Sequence, residues 1–218
     1  MLKDIFTLIK KELLIEWKQK YAFNGLLLYM LSMVVVISMA FVDQLEPQTW
    51  NIIFWLIMLF VAINAVAKSF MGEGEKLQMY LYGLVSPEAI IIAKFFYNVG
   101  LLFVISLISF YLFVFWGDMN VASYGRFTLV LGVGAIAISA NLTLVSAIAA
   151  KGENTTTLLA VLSFPLLVPV LLLLIEISEA ALTQTAGNFS NDSLQVLLGM
   201  ALAMIIASVV LFPFIWKE

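Results

Sequence analysis

Among its 218 residues the chain has no cysteine and no histidine. Without cysteine there is no disulfide, no thiolate nucleophile and no sulfur-held metal. Without histidine the commonest general base and the usual haem and zinc ligand are missing as well. Charge is scarce: 11% of residues are Asp, Glu, Lys or Arg, against about a quarter in a soluble domain. The net charge of −3 is too small to argue for nucleic acid or any other charged partner. No GxxxxGK followed by Ser or Thr occurs anywhere, so the usual backbone cradle for a nucleotide phosphate is absent.

What fills the chain is apolar. Hydrophobic residues make up 63% of it, and the mean hydropathy is +1.08. A crossing helix needs roughly 20 apolar residues. Six runs meet that need: Ala22–Val42, Trp50–Ala67, Ala89–Trp116, Phe127–Ala150, Leu158–Ile175 and Leu194–Trp216. They are continuous rather than alternating, which argues against a barrel. The expectation is an all-α integral membrane bundle of six spans, a single domain over residues 1–218, with the first span retained rather than cleaved as a signal.

Ten of the eleven basic residues fall on one side of this layout. Lys3, Lys10, Lys11, Lys18 and Lys20 precede the first span; Lys68, Lys76 and Lys94 flank the loop after the second; Lys151 and Lys217 follow the fourth and sixth. Only Arg126 lies opposite. The positive-inside rule then places both termini in the cytoplasm of a bacterial inner membrane. Trp17, Tyr21 and Trp216 are expected at the inner interface, Trp50, Trp116 and Tyr124 at the outer one.

Two cytoplasmic stretches are amphipathic. Over residues 1–21, Leu2, Ile5, Phe6, Ile9, Leu13 and Trp17 recur at helical spacing among lysines, the pattern of a helix lying in the interface with its lysines toward anionic headgroups. In the loop 68–88, Leu77, Tyr80, Leu81 and Leu84 follow a helical period, with Glu73, Glu75 and Lys76 at its start. Ser86-Pro87-Glu88 then marks a new helix start, which enters the membrane at Lys94.

These residues resemble the ABC-2 type transporter permeases and, more narrowly, the CcmB family of cytochrome c maturation, often called haem exporter protein B. The likeness lies in the acidic loop leading to LYGLVSP and a lysine at the base of the third span. It extends to FVAINAVAKSFMGE before the loop and to SFPLLVPVL, which sets Pro165 and Pro169 one turn apart. After the fourth span this chain has Lys151-Gly152-Glu153-Asn154, where the family more often carries basic residues.

The resemblance implies a permease without its own motor and without catalytic residues. It implies a homodimer docked on a CcmA-like ATPase subunit and working with a CcmC-like haem-handling membrane protein and a CcmE-like periplasmic haem chaperone. Its ATPase-coupling helix would comprise Glu73, Glu75, Lys76, Leu77, Tyr80, Leu81 and Leu84, with Ser86 and Pro87 setting its angle. ATP and haem would sit on partners, and no cofactor or metal on this chain. Alternatives are an ABC-2 exporter of another lipid-like or drug-like substrate, or an assembly scaffold.

Inside the spans, Pro165 and Pro169 are expected to kink the fifth and serve in gating. Glu176 and Glu179 stand at its outer end before a polar loop, Ser178 to Ser193, a surface for a periplasmic partner. Asn64, Asn98, Asn141, Ser139, Thr143 and Ser146 are candidates for hydrogen bonds between helices, and Gly132, Gly134, Ala137 and Ser139 for a small-residue packing face. Haem iron takes His, Cys, Met or Tyr; with the first two absent and the methionines placed as core residues, tight haem ligation is not expected.

Overall fold

A chain that enters lipid has to satisfy its backbone internally, and helices do this segment by segment. The computed structural model describes residues 1–18, 20–41, 46–71, 84–117, 121–150, 155–182 and 191–217. All the elements formed by these residues are helical: α1 (Leu2–Lys18), α2 (Lys20–Ala40), α3 (Pro47–Met71), α4 (Pro87–Gly117), α5 (Tyr124–Ala149), α6 (Thr155–Leu182) and α7 (Asn191–Lys217).

Five of them contain stretches long and apolar enough to cross a membrane: Pro47–Val66, Pro87–Trp116, Tyr124–Ala149, Thr157–Leu182 and Asp192–Phe214. The first expected span falls on α2, whose described apolar stretch, Asn24–Ala40, is shorter. At 1.5 Å per residue it covers roughly 26 Å of a core about 30 Å thick.

Helix α5 is the axis of the bundle and touches α3, α4, α6 and α7. In its apolar window 72% of residues are buried, against 22% in α7. Lipid tails are as apolar as leucine, so close packing rather than the hydrophobic effect holds spans together, and small residues permit it. The small residues of α5 do not form one face, as the sequence led us to expect, because an axial helix needs them on several sides. Gly132 faces Phe103 of α4, whereas Gly134 lies under the Trp55 ring of α3 and Leu174 of α6.

The end of the bundle near Arg126 is aromatic. Phe110 stacks on Phe127 with centroids 4.5 Å apart, and Trp50 meets Phe113 edge-on at 5.1 Å. Phe54 packs against Trp50, Trp55, Phe113 and Phe127. Trp50 is therefore a core residue, 1% exposed, and not part of the interfacial belt in which the sequence placed it. Trp116 and Tyr124 do remain exposed.

Polar atoms join α3 to α6 beside this cluster. Trp55 Nε1 donates to Ser178 Oγ over 2.8 Å, Asn51 Nδ2 donates to the Ile175 carbonyl, and Asn51 Oδ1 lies 2.8 Å from Ser178 Oγ. Ser178 is thus a buried member of α6 rather than the start of a loop, and the helix runs to Leu182 instead of ending at Ile175. The last carbonyls of α6 are in turn satisfied. Those of Leu182 and Ala181 accept the amides of Ala122 and Ser123, and Ser123 caps α5 through the amide of Arg126.

A Cβ at position 134 would lie 2.7 Å from the Trp55 ring and 3.2 Å from Leu174 Cδ2. Trp55 is tethered by its hydrogen bond and cannot swing away. Gly134→Ala is therefore expected to destabilise the chain by about 1–3 kcal/mol of overpacking. Gly132→Ala, whose nearest neighbour is 3.7 Å away, gains helix propensity and is expected to be neutral or mildly stabilising. Thermal unfolding of both variants in detergent checks the contrast.

Candidate functional site

At the opposite end, α4 begins abruptly. The Ser86 carbonyl accepts the amides of Ala89 at 3.0 Å and Ile90 at 3.3 Å. Pro87, at the first helical position, has no N–H to leave unsatisfied, and Glu88 complements the positive end of the helix dipole. Ser86 and Pro87 thus set the helix start that the sequence predicts. The helix then runs unbroken for 31 residues to Gly117, with Lys94 in its second turn.

Helix α1 lies against these first turns. Leu8 joins Ile90, Ile91, Ala93, Ala147 and Phe212 in one apolar cluster, with Ile5, Ile9 and Val85 packed around it. Residues four apart share a helix face, and the next such positions on α1 are Glu12 and Glu16. Glu12 Oε1 lies 3.5 Å from Lys94 Nζ and 3.3 Å from Lys11 Nζ. Tyr97 donates its hydroxyl to Glu16 Oε2 over 3.1 Å. At the next residue, Asn98 Nδ2 donates to Thr143 Oγ1 of α5 over 3.0 Å.

The lysine side chain is 3% exposed and the Glu12 side chain 10%. A buried charge is tolerated only with a partner, so this pair fixes both the rotation of α1 and its position along α4. It also corrects the expected single apolar face of residues 1–21. Ile5 and Ile9 turn into the bundle with Leu8, while Leu2, Phe6 and Leu13 remain outside.

Of the predicted coupling residues, Glu73, Glu75, Lys76, Leu77, Tyr80 and Leu81 lie outside the described residues. Leu84 is exposed, three positions before Pro87. Pro165 and Pro169 sit inside α6 on its exposed side, each removing the usual donor to a carbonyl one turn earlier. Glu176 is exposed and accepts a hydrogen bond from Ser193 of α7 at 3.0 Å; Glu179 is half-buried. Neither the prolines nor these glutamates come near the α1–α4 junction. Of the six polar residues singled out in the sequence, Asn98 and Thr143 bond across two helices; Asn64, Asn141 and Ser146 bond carbonyls of their own helices, and Ser139 Oγ has no partner among the described residues.

Among the described residues no group of three or more carboxylates gathers at the junction or elsewhere. A family model described as CcmB protein matches residues 3–217.

The chain belongs to the CcmB family. It is accordingly a multi-pass membrane permease component of the haem-export system for cytochrome c maturation, an ABC-transporter system whose ATPase is the CcmA subunit. No curated protein matches the chain.

The junction offers a direct check on the packing of this CcmB-family chain. Lys94→Met leaves Glu12 only the more exposed Lys11, and Glu12→Gln takes the carboxylate away from the buried Lys94; each is expected to be destabilising, at most by the about 3–5 kcal/mol that breaking a buried pair costs. The double replacement Lys94→Met with Glu12→Leu removes both charges and is expected to cost less than Lys94→Met alone. Thermal unfolding in detergent, with disulfide trapping between cysteines introduced in α1 and α4, measures both effects.

Proposed function

We propose that this CcmB-family chain takes mechanical work from a separate CcmA-like ATPase and delivers it to haem export or to release of the haem-loaded CcmE-like chaperone. In this reading α2 also crosses the membrane, as the first of six spans, both termini are cytoplasmic, and two copies act together because two ATPase subunits need two docking surfaces. A CcmC-like protein and the chaperone hold the haem, and this chain ligates neither haem nor nucleotide.

The observation that carries the proposal is the fastening of the first turns of α4. The segment from Val85 to Asn98 is tied to α1 by apolar contacts, an ion pair and a hydrogen bond, and to α5 by another. A push on the loop 68–88 therefore reaches three helices within roughly 18 Å of Pro87, at 1.5 Å per residue. In this mechanism Glu73, Glu75, Lys76, Leu77, Tyr80, Leu81 and Leu84 form the surface that the ATPase grips, and Ser86-Pro87 fixes the lever's angle. The prolines of α6 let that helix flex, and Glu176 and Glu179 face periplasmic partners.

Leu77→Asp and Leu81→Asp are expected to weaken ATPase binding about thirtyfold or more, as loss of a central apolar anchor does, and to remove c-type cytochromes from cells. Retained copurification sinks the docking assignment. Because the chain has no cysteine, a single Gln78→Cys reports sidedness cleanly. Labelling of that cysteine in intact cells by an impermeant maleimide would place the loop on the wrong face.

A further inference from the structure

Packing α1 onto α4 sorts its charges. Glu12 and Glu16 both turn toward the bundle, where Lys11, Lys94 and Tyr97 meet them. The remaining acid, Asp4, lies 2.7 Å from the amino group of Met1. Outside stand Leu2, Phe6 and Leu13, at 86%, 73% and 58% exposure. At 100° per residue these three fall within a sector of about 40°. Lys10 and Lys3 come next around the helix, then Leu14 at 52% exposure, and Lys18 beyond it, the lysines all exposed.

The outward side of α1 thus reads, in order around its axis, as bundle contact, apolar stripe and lysines, with the glutamates withdrawn from it. Its depth is set as well. Leu8 shares a cluster with the first turns of α4 and the last turns of α7, so α1 lies level with the ends of the spans, where lipid headgroups begin.

We infer that this side of α1 is a recognition surface for anionic phospholipid, its stripe of Leu2, Phe6 and Leu13 seated at the acyl boundary and Lys3, Lys10 and Lys18 against the phosphates. The charge balance selects this occupant. Lysine near an anionic leaflet gains attraction that a zwitterionic one does not provide, and neither glutamate remains on the outer side to oppose it. Since Glu12 locks α1 to Lys94, the lipid surface also becomes the ground against which the start of α4 is braced. The inference rests on the membrane placement proposed above but requires neither the ATPase nor haem.

The test uses the full chain in nanodiscs of phosphatidylcholine alone or mixed with phosphatidylglycerol, and native mass spectrometry to count the lipids retained. The wild-type chain is expected to retain phosphatidylglycerol preferentially. Each of Lys3→Gln, Lys10→Gln and Lys18→Gln is expected to lower that preference about fivefold, and added salt to lower it further. Arginine at the same three positions keeps it. Helical content by circular dichroism confirms that these surface changes leave the fold intact.

A triple glutamine variant with undiminished preference overturns the inference. So does Phe6→Cys cross-linking between two copies, or becoming shielded only when the ATPase is added, since either outcome gives the surface to a protein. The lipid count is read without nucleotide or partner, so its failure is distinguishable from failure of the coupling proposal.

Discussion

Lys94 is a charged residue seven positions into a membrane-crossing helix, and it is nearly inaccessible to solvent. An ammonium group there is costly without a counter-charge, and Glu12 of α1 supplies one. Much else follows. With Glu12 held inward, the helical period leaves Ile5, Leu8 and Ile9 no choice but the bundle, and Leu2, Phe6 and Leu13 no choice but the outside. Glu16 arrives one turn later at the height of Tyr97. A helix that would slide freely on apolar contacts alone acquires a fixed register.

Behind that junction stands α5, whose small residues let four neighbours approach at once. The hydrogen bond from Asn98 to Thr143 joins the two systems. Its energy is modest, about 0.6 kcal/mol for such bonds on average, yet it falls on the same turn of α4 as Tyr97, which is tied to α1. The start of α4 therefore belongs mechanically to two helices, one at the surface and one on the axis.

Much of this architecture was legible in the sequence. Continuous apolar runs announce spans because lipid permits little else, and Ser86-Pro87 announces a helix start because proline lacks the one donor that position does not need. Family membership was readable from the same loop and from the proline pair. What stayed hidden was decided by distant partners. Trp50 resembled a belt residue because it opens an apolar run, but Phe113 and Phe127, brought by α4 and α5, enclose it. Ser178 resembled a loop residue until Trp55 and Asn51 supplied its bonds. Glu16 and Tyr97 lie 81 positions apart, and no local period signals such a meeting. The faces of α1 were misread for that reason: amphipathicity counts apolar residues but does not say which of them meet lipid and which meet protein.

The stacked rings of Trp50, Phe54, Phe110, Phe113 and Phe127 carry a consequence for passage. Each of these side chains is at most 2% exposed, and they interlock across α3, α4 and α5 at the far end from the lysines. Among the described residues that end of a single copy is closed by interlocked rings, a wall rather than a tube.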